Sequence, residues 1–123
     1  MNTTYNQEEL MDLCTEWQDV LAINDWEIGV AINENKLKEQ RKLGEVSYTS
    51  ETAQALISIL HPDNYPDVPF PYDMEKTLVH ELLHLRFASV APKKEHSTKG
   101  IAFERAIELT AKALVNLKRE KCS

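Results

Sequence analysis

Apolar residues along this chain change their spacing several times, and each change marks a new element. From Gln7 to about Ile23, Leu10, Leu13, Cys14, Trp17, Val20 and Leu21 recur three and four apart, the period of a helix with one buried stripe. Acidic residues in its first turn suit the positive end of the helix dipole. In "WEIGVAI" the period drops to two, with Trp26, Ile28, Val30 and Ile32 alternating, which predicts a half-buried strand. Asn33 to Lys42 is polar and reads as a loop or charged hairpin arm. "GEVSY" and "AQALISIL" are two further strands separated by the turn-like "TSET". "HPDNYPDVPFPY" carries four prolines in a dozen residues, so it is a shaped loop.

A helical period returns from Asp73 to Ala88. Asp73 can cap that helix, and Glu75 lies in its first turn. Leu78, Val79, Leu82, Leu83, Leu85 and Phe87 make it apolar on nearly every side, so it is expected to run through the middle of the fold. After a loop from about Ser89 to Thr98, "GIAFERAIELTAKALVNLKRE" gives a long amphipathic helix ending in basic residues. The order helix, three strands, helix, helix predicts one α+β domain over 1–123 with a small, mostly antiparallel sheet.

Composition narrows the partners. The 123 residues are 42% hydrophobic and 28% charged, as in an ordinary globular domain, with a formal net charge of −6. That sign disfavours a phosphate-binding surface, so nucleic acid is not expected as a partner. Lys93, Lys94 and Lys99 read as a solvated loop. The two cysteines, Cys14 and Cys122, stand in no C-x-x-C spacing, which indicates neither a zinc–thiolate site nor a disulfide scaffold. Cys14 is expected in the core and Cys122 in a loose tail. "MNTTYNQEEL" lacks the basic and apolar regions of a signal peptide, and no segment has the length of a membrane span. The expected location is the cytoplasm, with no membrane partner.

The candidate chemistry sits inside the apolar helix, in "TLVHELLHL". Residues four apart share a helix face, so His80 and His84 can turn two imidazoles toward one cation. Glu81, about 100° around the helix, can reach a metal-bound water without being a ligand. Two zinc ligands and a general base on one rigid element are the physical content of H-E-x-x-H. A buried helix is also a costly place for three unpaired ionisable groups. A catalytic zinc site needs a third protein ligand and an open position. Phe87 and Val90 stand where the metzincin pattern wants glycine and histidine. The absence of a histidine at 90 likewise disfavours the rRNA-maturation endonucleases, and no glycine-rich loop offers a peptide-deformylase cysteine. On the long helix, Ile101, Glu104, Glu108, Ala111 and Val115 form a stripe more apolar than charged, which should face inward. Glu104 is the candidate third ligand, and Glu108 the candidate acceptor for an imidazole N–H, that of His80.

"HELLH" at 80–84, then after nineteen intervening residues "ERAIE" at 104–108, resembles the gluzincin pattern of zinc metallopeptidases. Size and element order are similar to the small catalytic domains called minigluzincins and to SprT-like domains. The motifs cover roughly residues 73–117; the N-terminal half matches in layout alone. The resemblance implies a zincin-like fold, Zn2+ held by His80, His84 and Glu104, and hydrolysis of a protein or peptide substrate with Glu81 as base. It also implies an edge strand that holds the peptide, for which "ALISIL" at 55–60 is the candidate, and an oxyanion stabiliser. His96 is the first choice for that role, with Tyr65, Tyr72 and His61 as alternatives. Trp17 and Trp26 read as core. Two rival readings stay open: a zincin scaffold that binds a protein or peptide with little turnover, and a purely structural zinc domain, which would have no need of Glu81.

Overall fold

The computed structural model describes residues 1–121; Cys122 lies outside the described residues. The chain is α+β, with a three-stranded mixed sheet and four α-helices among the described residues. Helix α1 (Gln7–Val20) starts from a reciprocal cap in which the Asn6 side chain accepts from the Glu9 N–H and the Glu9 carboxylate accepts from the Asn6 N–H. It ends three residues earlier than the apolar period suggested. Ala22 takes a left-handed backbone (φ 57°) and turns the chain, while Ile23 still packs in the core. Strand β1 (Glu27–Asn33) follows. The polar stretch after it contains a short helix, α2 (Lys36–Gln40), because Leu37 is fully buried and anchors one turn of it. Strands β2 (Gly44–Thr49) and β3 (Gln54–Leu60) complete the sheet.

The strand order is β1-β3-β2. β1 runs parallel to β3, with Val30 opposite Ile57, and β2 runs antiparallel to β3, with Val46 also opposite Ile57. Two expectations are corrected here. The sheet is evenly mixed rather than mostly antiparallel. And β3, expected at the edge, lies in the centre, because its inward residues Ile57 and Ile59 are fully buried and need cover from both neighbours. The edges belong to β1 and β2.

Helix α3 (Met74–Arg86) is capped by Asp73, whose side chain accepts from the Lys76 N–H. An N-terminal segment fixes that cap: Thr3 donates its N–H to the Tyr72 carbonyl and accepts from the Met74 N–H. Met74, Leu78, Val79 and Leu82 have no exposed surface, as expected of a helix apolar all round. α3 packs on β2 and β3, α1 packs on β1 and α3, and α4 (Thr98–Lys121) packs on α3 through Ile107, Ala111 and Val115. Cys14 and Trp17 are buried, and Trp26 packs at the core's edge with its ring 5.7 Å from that of Tyr48. Lys93, Lys94 and Lys99 are solvated.

Candidate metal centre

Two helices build the site. α3 offers His80 and His84 from successive turns of one face, their ring centres 5.2 Å apart. α4 brings Glu104 across from them, with one carboxylate oxygen 2.6 Å from His80 Nε2 and the other 3.1 Å from His84 Nε2. One ligand atom from each of the three residues lies within 4.8 Å of the others, so the group could hold a metal ion. Glu108, one turn further along α4, places Oε1 3.1 Å from His80 Nδ1, and its Oε2 is 3.6 Å from Lys76 Nζ.

These contacts test whether a cation fits. If Nδ1 of His80 donates to Glu108, a neutral imidazole carries its lone pair at Nε2. That lone pair faces a Glu104 oxygen at 2.6 Å, an arrangement of two acceptors that needs a positive charge, a proton or a metal ion, to be favourable. His84 points the same way: burial pushes its imidazole below the ordinary histidine range, and the Glu104 carboxylate only partly opposes the effect. A neutral imidazole is the form that binds metal. Two nitrogens and one carboxylate are a donor set for a borderline divalent ion such as zinc.

Glu81 is not one of the three grouped residues. It is 7% exposed and makes no hydrogen bond or ion pair to another described residue. Burial pushes its carboxyl up to about 7. A positive charge on His80 opposes that rise, and Glu104 and Glu45 add to it. A carboxyl with that affinity can take up and release a proton near neutral pH.

The inward stripe on α4 is only partly as expected. Ala111 and Val115 are buried, but Ile101 is 61% exposed, because α4 reaches past the end of α3 there. Glu104 and Glu108 are about half exposed, at 54% and 47% of their side-chain surface, so solvent reaches the centre from one side. Of the candidates for oxyanion stabiliser, Tyr72, Tyr65 and His61 each have a backbone partner of their own. His96 is exposed in the loop between α3 and α4, with no hydrogen bond or ion pair to another described residue. Tyr72 is buried and donates its hydroxyl to the Leu60 carbonyl. Tyr65 stacks on it at 4.6 Å and donates to the Phe70 carbonyl. His61 accepts from the Asp63 N–H through Nδ1.

Sequence reasoning missed two features. At the start of α3, Glu75 is 3% exposed and accepts from Trp17 Nε1 (2.8 Å), Lys118 Nζ (2.7 Å) and an Arg119 nitrogen (3.1 Å). Arg119 also forks onto both oxygens of Asp73. This cluster clasps the end of α4 to the beginning of α3; the signal was a glutamate in the first turn of a helix apolar on nearly every side. The second is Gly44, which sits against Glu81. Compared with known protein families, curated proteins and solved structures, the chain matches none.

Proposed function

We propose that this protein is a zinc-dependent peptidase of the gluzincin kind, with a zincin-like fold. The observation that carries the reading is the convergence of His80, His84 and Glu104 beside a buried, unbonded Glu81. A zinc ion bound there would polarise a carbonyl and bring the pKa of a bound water toward about 7. With the metal in place, Glu81 would accept the proton of the attacking water and return it to the leaving amine, the role of a general base that is not itself a ligand. Glu108 fixes the tautomer and ring orientation of His80.

The substrate strand belongs on β2, not β3. Leu60 donates to the Leu43 carbonyl, so alternation in the antiparallel ladder turns the amides of Glu45, Ser47 and Thr49 toward β3. The N–H and C=O groups of Gly44, Val46 and Tyr48 therefore face the open edge, where they bond no other described residue. An extended peptide can add there, beginning beside Glu81. The same free edge would serve a peptide-binding module with little turnover, the second reading.

Cleavage of a peptide library by the zinc-loaded protein tests the proposal. Products are expected to vanish on chelation and to return with about one equivalent of zinc, the ratio for a three-ligand catalytic site. Equal cleavage by the chelated protein would sink the metal-dependent reading. His80→Ala and Glu104→Ala should each abolish stoichiometric zinc binding.

A further inference from the structure

Gly44 opens β2 beside Glu81, and its backbone is not the reason for a glycine there. Among the described residues no glycine has a positive φ, so a residue with a side chain could adopt the same strand conformation. What the position lacks is room. A Cβ on Gly44 would lie 2.8 Å from Cγ2 of Thr77, 3.1 Å from Oε2 of Glu81 and 3.3 Å from its Cγ. Thr77 and Glu81 are four apart on α3 and both are buried, so the bare Cα of Gly44 fits against two successive turns of the helix.

The two neighbours differ in what holds them. Thr77 Oγ1 donates to the Asp73 carbonyl at 3.2 Å, which fixes the rotamer that aims its methyl at Gly44. Glu81 has no hydrogen bond to another described residue, so packing against Gly44 and the charges of His80 and Lys42 restrain its carboxylate. We infer that Gly44 is a positioning residue for Glu81: the strand backbone, stripped of a side chain, is the wall that keeps this carboxylate in its proton-transfer orientation. The inference deepens the peptidase reading and rests on its assignment of Glu81 as base. It adds that the residue setting the base is the one that offers the first free main-chain groups of β2 to a substrate. A side chain at 44 would displace the base and disturb the same stretch of edge.

Removing the two clashes separately tests this. Thr77→Ser deletes Cγ2 and keeps the hydroxyl, so in Gly44→Ala/Thr77→Ser the added Cβ meets only Glu81. Three readouts are compared with Thr77→Ser alone: the thermal midpoint of the metal-free protein, peptide turnover, and the visible absorption of the cobalt(II)-loaded protein. The double variant is expected to recover the midpoint lost in Gly44→Ala. Its kcat should stay down by about three- to tenfold, since contacts of 3.1 and 3.3 Å shift the carboxylate by less than the 1 Å that can cost about a hundredfold, with KM changed by less than about twofold. Its cobalt spectrum should shift in the direction that Glu81→Gln shifts it. Recovery of kcat together with the midpoint would overturn the inference and make Gly44 a packing residue for Thr77. A midpoint that stays low would overturn it as well. If the wild type cleaves no peptide, the peptidase reading fails, and the cobalt spectrum alone decides: a shift keeps Gly44 as the residue that sets Glu81, and an unchanged spectrum removes it.

Discussion

At the scale of single residues, Glu81 carries a stability cost that can be measured without any substrate. Its carboxyl, held up at about 7, binds a proton more tightly in the folded chain than in the unfolded one. The stabilisation from that proton is complete below the unfolded value of about 4.3 and is lost as pH rises through about 7. Metal-free wild type should therefore lose about 3 kcal/mol relative to Glu81→Gln between pH 4.5 and 7.5 in urea unfolding. Parallel pH curves for the two proteins would mean that Glu81 is not buried as described. Glu108 predicts a different quantity. Glu108→Ala removes the acceptor for His80 Nδ1 and should weaken zinc by roughly 10–100-fold in a competition titration, while one zinc per chain still binds at saturation. An unchanged affinity would reduce Glu108 to a surface partner of Lys76.

At the scale of elements, the relative placement of α3 and α4 decides whether Glu104 meets the histidines at all. The clasp of Asp73 and Glu75 with Lys118 and Arg119 secures one end of that pair. Burial alone would push the Glu75 carboxyl up. Hydrogen bonds from Lys118, Trp17 and Arg119 outweigh burial and hold it below the ordinary glutamate value. A depressed carboxyl contributes stability above its unfolded value of about 4.3, and that contribution is lost as pH falls through the folded value. Glu75→Ala should cost about 2–3 kcal/mol at pH 7. That is less than the 3–5 of a fully buried pair, since Lys118 and Arg119 are partly exposed and can return to water. The loss should shrink on acidification below about pH 4, and a pH-independent loss would point to packing instead. At the opposite end, Gly100 lies so close to the Lys94 and Glu95 carbonyls that a Cβ would fall 2.3 Å and 2.4 Å from them. The loop is thus packed onto the first turn of α4, where Ser97 Oγ accepts the Gly100 N–H.

At the scale of the molecule, the sequence disclosed elements far better than their neighbours. The helical periods read over about 7–23, 73–88 and 100–120 and the three strands were legible because burial on one face imposes a period on the residues themselves. His80, His84 and Glu104 were legible for the same reason: their spacing on two helices restricts which faces they share. Strand order was not. Ile57 and Ile59 read alike whether their strand is central or at an edge, and a parallel β1–β3 pair leaves no mark in the strands it joins. Nor could composition reveal that Tyr72 and Tyr65 are committed to backbone carbonyls. The Glu75 cluster escaped because its cations lie 43 and 44 residues away. Among the described residues no helix is long and apolar enough to cross a membrane.

The central claim is that Glu81 is a base beside a metal rather than a buried carboxyl of a binding scaffold. A peptide-library digest with zinc-loaded wild type and Glu81→Gln side by side tests it most directly. The account predicts equal zinc content in the two proteins and cleavage by wild type, with turnover in Glu81→Gln down by roughly 10²–10⁴-fold. Equal cleavage by both proteins, or none by zinc-loaded wild type, would contradict it.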